Sequence, residues 1–168
     1  MKKLILPLVF IFTAVVSNQV NAQNSAQASA NAAVTLITPI AITKATDLEF
    51  GTFVASATPG TITMTPAGSV TTSGGVTEIS GGAKSAATFT VSGEAGQSYA
   101  ITLPTTDVVL SSLVEGESLT LNAFTSNPTD NGVIGTDGTI SVGGTLAVPA
   151  NSKADTYSGS FDVTVNYN

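Results

Sequence analysis

The sequence predicts an all-β domain, an antiparallel immunoglobulin-like β-sandwich of about nine to eleven short strands. After the first 22 residues, apolar positions recur in short runs that alternate with polar ones, and Gly, Pro, Asn or Asp separate the runs. Thr and Ser are abundant, and the β-branched Thr suits a pleated surface. This part of the chain has almost no helical periodicity.

The first 22 residues predict a cleavable export signal. Two lysines and an apolar run, Leu4–Val16, precede a polar stretch that ends in Val20-Asn21-Ala22. Such an ending suits signal peptidase, so we expect cleavage between Ala22 and Gln23. The apolar run is shorter than the roughly 20 residues that cross a bilayer. We therefore expect a protein of the periplasm, cell surface or extracellular space, without stable membrane insertion after cleavage.

Charge and composition exclude several classes of partner. Removing 22 of the 168 residues leaves 146, enough for one domain with a sizeable core. These residues include three Lys, eleven acidic residues and no Arg, a net charge of −8. An acidic surface repels phosphates, so nucleic acid is not an expected partner. Cys is absent, so stability must come from the core and not from disulfides.

The residue types also argue against catalysis. The chain has no His and no Cys, which removes the usual proton shuttle, thiol nucleophile and soft metal ligands. The close carboxylate pairs are Asp47 with Glu49 and Glu115 with Glu117, and we interpret them as solvated strand and turn positions. No serine-nucleophile motif is present. We expect no enzyme, no cofactor and no catalytic residue.

One weak alternative is a calcium site near Asp130 and Asp137. These residues lie in neighbouring turn-like segments, Asp130-Asn131-Gly132 and Asp137-Gly138, and offer oxygen ligands. The same residue types are what a hairpin turn favours. We therefore predict turns here and no metal ligands.

The turn chemistry predicts several hairpins. Gly60 and Pro66-Ala67-Gly68 would flank the strand Thr61–Met64, and Gly93–Gly96 would lead into a strand carrying Tyr99. Asp137-Gly138 fits a two-residue type I′ turn between two strands.

Two terminal segments have the most regular alternation. The last one predicts a single long strand with small or apolar residues on one face: Tyr157, Gly159, Phe161, Val163, Val165 and Tyr167. The first forms an N-terminal extension, residues 23–38, ahead of a β-sandwich domain at 39–168, and its alternating apolar residues are Ala26, Ala28, Ala30, Ala32, Val34 and Leu36. The extension has two interpretations. It is a strand for another subunit, or it is a flexible leader and Val34–Ile42 forms the first strand of a self-sufficient sandwich.

Five stretches carry a resemblance to a known family: Pro39–Ile42, Leu48–Phe53, Ser85–Val91, Gly96–Leu103 and Tyr157–Tyr167. In these the chain resembles DUF4402, an uncharacterised family of secreted bacterial domains. In outline it also resembles spore-coat-U-like and chaperone–usher pilin subunits, which share an early L-x-F-G strand, a central G-x-Y hairpin and a last strand that opens and closes with Tyr.

The pilin resemblance implies a function for both termini. It implies that Ala26 to Leu36 acts as a donor strand in an identical or related subunit, and that the strand ending at Tyr167 pairs with a periplasmic chaperone. Strand addition of this kind uses main-chain hydrogen bonds for affinity and alternate side chains for specificity. The leading expectation is a non-catalytic fibre subunit, and the alternative is a self-contained secreted module for binding or adhesion.

Overall fold

The computed structural model describes residues 25–114 and 116–168. The predicted export signal, its cleavage site at Ala22 and Gln23, and Glu115 lie outside the described residues. Within these two ranges the chain contains no helix and forms eleven strands: β1 (Ala41–Thr46), β2 (Thr52–Met64), β3 (Val70–Ile79), β4 (Ala87–Ser92), β5 (Ser98–Thr102), β6 (Val108–Ser112), β7 (Ser118–Asn127), β8 (Asn131–Val133), β9 (Thr139–Val148), β10 (Tyr157–Ser158) and β11 (Thr164–Tyr167).

The strands form two antiparallel sheets. The larger sheet has eight strands, in the order β1-β4-β9-β7-β6-β10, with the β2–β3 hairpin attached to β9 through β2. The smaller sheet has three strands, in the order β11-β5-β8. The predicted all-β, antiparallel β-sandwich is confirmed, and the eleven strands fall within the predicted number.

Strand β9 lies at the centre of the larger sheet because it is apolar on one face along its whole length. Ile140 and Val142 are fully buried, and Leu146 and Val148 continue the same face. On one edge β9 pairs with β4 through its first half and with β2 through its second half. On its other edge it pairs with β7.

A bulge in β7 keeps both halves of that strand facing the core. Leu119 and Leu121 are buried, whereas Phe124 lies three positions on and would point outward in a regular strand. The pairing with β9 shifts between Asn122 and Thr125, and Ala123 has a φ of 47°. The extra residue restores the inward direction of Phe124.

The core consists of two clusters. One lies between the two sheets and includes Tyr99, Ile101, Ile140, Val142 and Val165. The other lies inside the curl of the larger sheet and includes Ile62, Val76, Leu119, Leu121, Leu146 and Val148. Three half-buried residues pack against both clusters: Leu48, Phe124 and Phe161. The two clusters therefore meet where these three side chains lie.

The predicted long final strand is wrong as a single element. Tyr157 and Ser158 form β10 beside β6 in the larger sheet, whereas Thr164–Tyr167 forms β11 beside β5 in the smaller one. Residues 159–163 belong to no strand. The alternation is real, since Phe161, Val163, Val165 and Tyr167 are all buried or half-buried and the residues between them are exposed. The segment keeps one inward face while crossing from one sheet to the other.

Two predicted turns are also wrong. Gly60 lies inside β2, where the pairing with β3 shifts between Ala55 and Gly60. Asp137-Gly138 is not a type I′ hairpin, because β8 pairs with β5 and β9 pairs with β4. Neither residue has the positive φ that such a turn requires. The predicted turn at Pro66-Ala67-Gly68 does connect β2 to β3.

Residues 36–168 form one compact unit. The described residues 25–35 belong to a separate unit; they have no secondary structure and are exposed. Across 25–114 and 116–168, no helix is long and apolar enough to cross a membrane.

Candidate strand-binding groove

A groove separates the two ends of the larger sheet. The first strand of its path, β1, and its last strand, β10, contribute to one cavity of about 630 Å³. The first rim of this groove is residues 44–52, and the last rim is residues 156–161. Since edges at opposite ends of the strand path line the same cavity, the sheet curls until those edges face each other.

The floor and walls of the groove are apolar. Ala87 and Phe89 come from β4, Val108 and Leu110 from β6, and Leu121 from β7. The large apolar side chains of the groove other than Leu121 are only half-buried, and these are Leu48, Phe50, Phe89, Val108, Leu110, Tyr157 and Phe161. Apolar side chains that line a groove and remain partly exposed mark a binding surface, because covering them with another apolar group lowers the free energy.

An aromatic cluster lies at the groove: Phe89 and Phe161 line it, and Phe124 packs against Phe161. Phe161 lies 4.9 Å from Phe124 and 6.4 Å from Phe89, measured between ring centroids. The contact with Phe89 is edge-to-face, a preferred geometry for aromatic pairs. This cluster fixes the last rim against β4 and β7, although residues 159–161 belong to no strand.

Gly159 allows the last rim to lie against β6. A side chain at this position would place its Cβ 2.6 Å from the Val109 carbonyl oxygen. Only glycine permits so close an approach to a neighbouring backbone. The glycine thus explains how the rim follows β6 beyond the two paired residues of β10.

Hydrogen bonds to Ser85 hold the first rim. Glu49 and Ser85 exchange both backbone hydrogen bonds, each 2.9 Å long. The Ser85 hydroxyl also donates to the Asp47 carbonyl oxygen at 2.8 Å. These bonds anchor Asp47 and Glu49 to Ser85, close in sequence to Gly82 and Ala83, which also line the groove.

The two rims run in opposite directions. Every neighbouring pair along the path from β1 to β10 is antiparallel, and the path has six strands, so its end strands are antiparallel to each other. A strand inserted between the rims is therefore antiparallel to one rim and parallel to the other. One such strand would join the two edges, and edge-to-edge closure removes unpaired backbone groups.

The groove is one end of a longer seam, which runs between β1 and the last segment of the chain, residues 156–167. At the other end of this seam the two sides touch each other. There β1 lies beside β11, and Ile40, Ile42, Val163 and Tyr167 pack against the first core cluster. We call this the closed end of the seam and the groove its open end.

Hydrogen bonds around Thr38 fasten the closed end, and we call Thr38, Glu94 and Tyr167 the latch. The Tyr167 hydroxyl donates to the Thr38 carbonyl oxygen at 2.7 Å and accepts from the Glu94 N–H at 2.7 Å. The Glu94 carboxylate accepts from the Thr38 N–H at 3.1 Å and from its hydroxyl at 2.9 Å. These Thr38 hydrogen bonds hold the pKa of Glu94 below its ordinary value.

The predicted site residues fall into two groups. The last-segment residues Tyr157, Gly159 and Phe161 line the groove, whereas Val163, Val165 and Tyr167 lie at the closed end. The predicted donor-strand residues are exposed and form no strand, and they are Ala26, Ala28, Ala30, Ala32, Val34 and Leu36. Val34 and Leu36 are 83% and 88% exposed.

The other sequence candidates do not form a site in the described part of the chain. Across residues 25–114 and 116–168, no three acidic side chains are grouped as metal ligands. Asp137 accepts from the Val133 N–H through its carboxylate, and its carbonyl oxygen accepts from the buried Tyr99 hydroxyl. Asp137 thus ties the β8–β9 connection to the end of β8 through its carboxylate and to the Tyr99 side chain of β5 through its carbonyl oxygen.

The sequence did not indicate that residues 44–52 form one side of a groove. It also gave no sign of the latch. The stretch Leu48–Phe53 stood out in the sequence, but nothing there assigned it to one side of a groove. Thr38 and Glu94 are 56 positions apart, and Thr38 and Tyr167 are 129 apart. Only the folded backbone brings them together.

The family profile described as domain of unknown function (DUF4402) matches residues 40–167. The chain belongs to the DUF4402 family. The match begins within two residues of Thr38 and includes both rims of the groove, and it confirms the resemblance predicted from the sequence. No curated protein and no solved structure matches the chain significantly.

Proposed function

We propose that this DUF4402 protein is a non-catalytic structural subunit of a surface fibre, assembled by donor-strand addition. Residues Ala26 to Leu36, in the N-terminal extension of one copy, insert into the groove of the next. The groove carries this proposal, since it has an apolar floor and lies between two sheet edges that run in opposite directions.

The extension has the properties of such a strand. Its described part, from Ser25, is exposed, has no secondary structure and carries no charge. Its side chains alternate between small apolar residues at even positions and mostly polar ones at odd positions. An extended segment of this kind offers its main-chain N–H and C=O groups to a sheet edge and one apolar face to the floor.

The small donor side chains match the large side chains of the groove. Leu48, Phe89 and Phe161 are large side chains that line the groove. Packing is tightest where large residues face small ones, so the Ala residues of the extension suit a groove lined by large side chains. Each Ala buries little area of its own, and most of the gain comes from covering the groove's own aromatic and aliphatic side chains.

Export and a chaperone belong to the same proposal. The predicted signal peptide would deliver the chain to the periplasm, and cleavage after Ala22 would release the extension as the new N-terminus. An uncovered apolar groove beside free sheet edges promotes aggregation. We therefore include a periplasmic chaperone that covers the groove along the last rim until a second subunit replaces it.

Two single substitutions of neighbouring extension residues test the proposal. In the chain 23–168, Ala30→Asp would carry a charge into the apolar groove, whereas Asn31→Asp would leave the same charge on the outward face. We expect Ala30→Asp to abolish the detergent-resistant multimers of the native chain and Asn31→Asp to preserve them. Native gels and light scattering provide the measurement. Equal assembly of both variants would contradict insertion of this face.

A peptide gives an independent measurement. The domain beginning at Ile37 lacks the donor residues, and a synthetic peptide of residues 23–36 should raise its melting temperature by occupying the groove. The same peptide with Ala30→Asp should not. A melting temperature that neither peptide changes would contradict the proposal.

The groove also supports a second candidate, a self-contained secreted module for binding or adhesion. Its volume of about 630 Å³ falls within the range of small-molecule sites. Lys44, Asp47 and Glu49 place charges on the first rim, where they could orient a polar ligand. A ligand that stabilises the domain beginning at Ile37, together with a native chain that remains monomeric, would favour this candidate.

A further inference from the structure

The latch fixes the point where the extension joins the domain. Thr38 is the last residue of the extension, and its N–H, its hydroxyl and its carbonyl oxygen all take part in hydrogen bonds. These bonds come from two elements, the β4–β5 turn through Glu94 and the end of β11 through Tyr167.

The latch also closes one end of the seam that contains the groove. Tyr167 lies six residues beyond Phe161, about 20 Å along an extended chain. It joins the end of the last segment to the chain just ahead of β1. Gly93 makes room for it, since a Cβ there would lie 2.3 Å from the Tyr167 hydroxyl oxygen. The seam is thus open around Tyr157, where the groove lies, and closed at Tyr167.

We propose that Glu94 and Tyr167 are positioning residues that prevent the extension from filling the groove of its own chain and so reserve that groove for a second copy. This inference rests on the proposed function and names how the partner strand is selected.

Insertion within one chain requires a hairpin between the extension and β1. Such a hairpin would reverse the chain at residues 37–40 and run back along β1 through the closed end. A tight turn uses the N–H and C=O groups of its end residues for its own hydrogen bonds. In Thr38 both groups are already bound by the latch. Pro39 lacks an N–H and keeps Thr38 extended, which further opposes the reversal.

A strand from a second copy meets neither obstacle. It is not tethered at the closed end, so it can enter the groove from its open end between the two rims. The latch thereby imposes a direction: each subunit accepts a strand at one end of its seam and anchors its own extension at the other. Such a head-to-tail arrangement generates an open filament when it does not close into a ring.

The test uses the chain 23–168 carrying Tyr167→Phe or Glu94→Gln, which both keep the side-chain shape. Tyr167→Phe removes the hydroxyl that joins Thr38 to Glu94, and Glu94→Gln removes the charge that strengthens the two hydrogen bonds from Thr38. We expect the ratio of monomer to multimer to rise about five- to thirtyfold, the change that losing one or two hydrogen bonds produces. We also expect that monomer to melt at a higher temperature than the same variant beginning at Ile37, because its own extension fills the groove. Glu78→Gln, which removes a surface ion pair with Lys84, is the control and should assemble as the native chain does.

Three outcomes separate the inference from the proposed function. If both latch variants assemble as the native chain does, the inference is wrong and the fibre proposal stands. If they are monomers whose melting temperature does not depend on the extension, the latch only stabilises the domain, and the inference is again wrong. If the native chain neither assembles nor responds to deletion of residues 25–36, the fibre proposal fails and the inference with it.

Discussion

The closed and open ends of the seam are built from the same two parts of the chain, yet they pack differently. At the closed end, Val165 is buried and Tyr167 joins the latch. At the open end, Phe161 is half-buried and the two rims stand apart across the groove. The difference teaches that an alternating sequence determines which side chains face inward. It does not determine whether another part of the chain covers those side chains.

The largest expected effect is on the free energy of unfolding, when a Val is shortened to Ala at the closed end and at the open end of the seam. Val165→Ala leaves a cavity in a filled core and should lower the free energy of unfolding by about 2–3 kcal/mol. Val108→Ala removes the same atoms from the half-open groove and should lower it by less than about 1 kcal/mol. Urea denaturation of the domain beginning at Ile37 measures both.

A donor peptide should reduce the difference between the stability losses caused by Val165→Ala and Val108→Ala. When the groove is filled, Val108 is covered, and Val108→Ala should then reduce stability by nearly as much as Val165→Ala. Equal losses without peptide would show that the groove is already as well packed as the core, contrary to our account.

An intermediate effect is expected from Gly159→Ala. The added Cβ would collide with the Val109 carbonyl oxygen, so the last rim must move away from β6. We expect a loss of about 1–3 kcal/mol by urea denaturation and weaker binding of the donor peptide. Asp162→Asn, on the exposed face of the same segment, should change stability by less than about 0.5 kcal/mol. A Gly159→Ala variant with native stability would refute the close approach.

The smallest effect concerns the ionisation of Glu94. Because Thr38 donates to the ionised carboxylate, carbon-detected NMR should give a Glu94 pKa below its ordinary value of 4.5. A lowered pKa means that the contribution to stability is present above pH 4.5 and is lost as the pH falls through the folded-state value. Thr38→Ala removes the hydroxyl donor and should raise the Glu94 pKa toward 4.5. An unchanged pKa in that variant would show that the hydroxyl contributes nothing and that the Thr38 N–H alone lowers the Glu94 pKa.

Local pattern was sufficient for several features of the fold. The alternation in Tyr157–Tyr167 correctly predicted its inward side chains, since period-two spacing decides which face a residue occupies. The turn at Pro66–Gly68 was predictable because its chemistry depends on adjacent residues alone. The family resemblance was readable from the same short stretches.

Where the chain changes sheets was not predictable. Asp137-Gly138 has the residues of a hairpin turn, but β8 and β9 belong to different sheets, so the turn joins two layers. The final segment likewise pairs with β6 up to Ser158 and with β5 from Thr164 onward. Each choice depends on which edge is free, and that is settled by strands far away in the sequence.

The sequence by itself determined the all-β class, the inward faces, the acidic surface and the family, because these follow from residue types and their spacing. Only the tertiary structure decided the bulge at Ala123, the groove between residues 44–52 and 156–161, and the latch at Thr38. The physical reason is that these features arise where edges meet. The curl of the larger sheet brings its first and last strands to opposite sides of one gap, and no local pattern encodes the width of that gap.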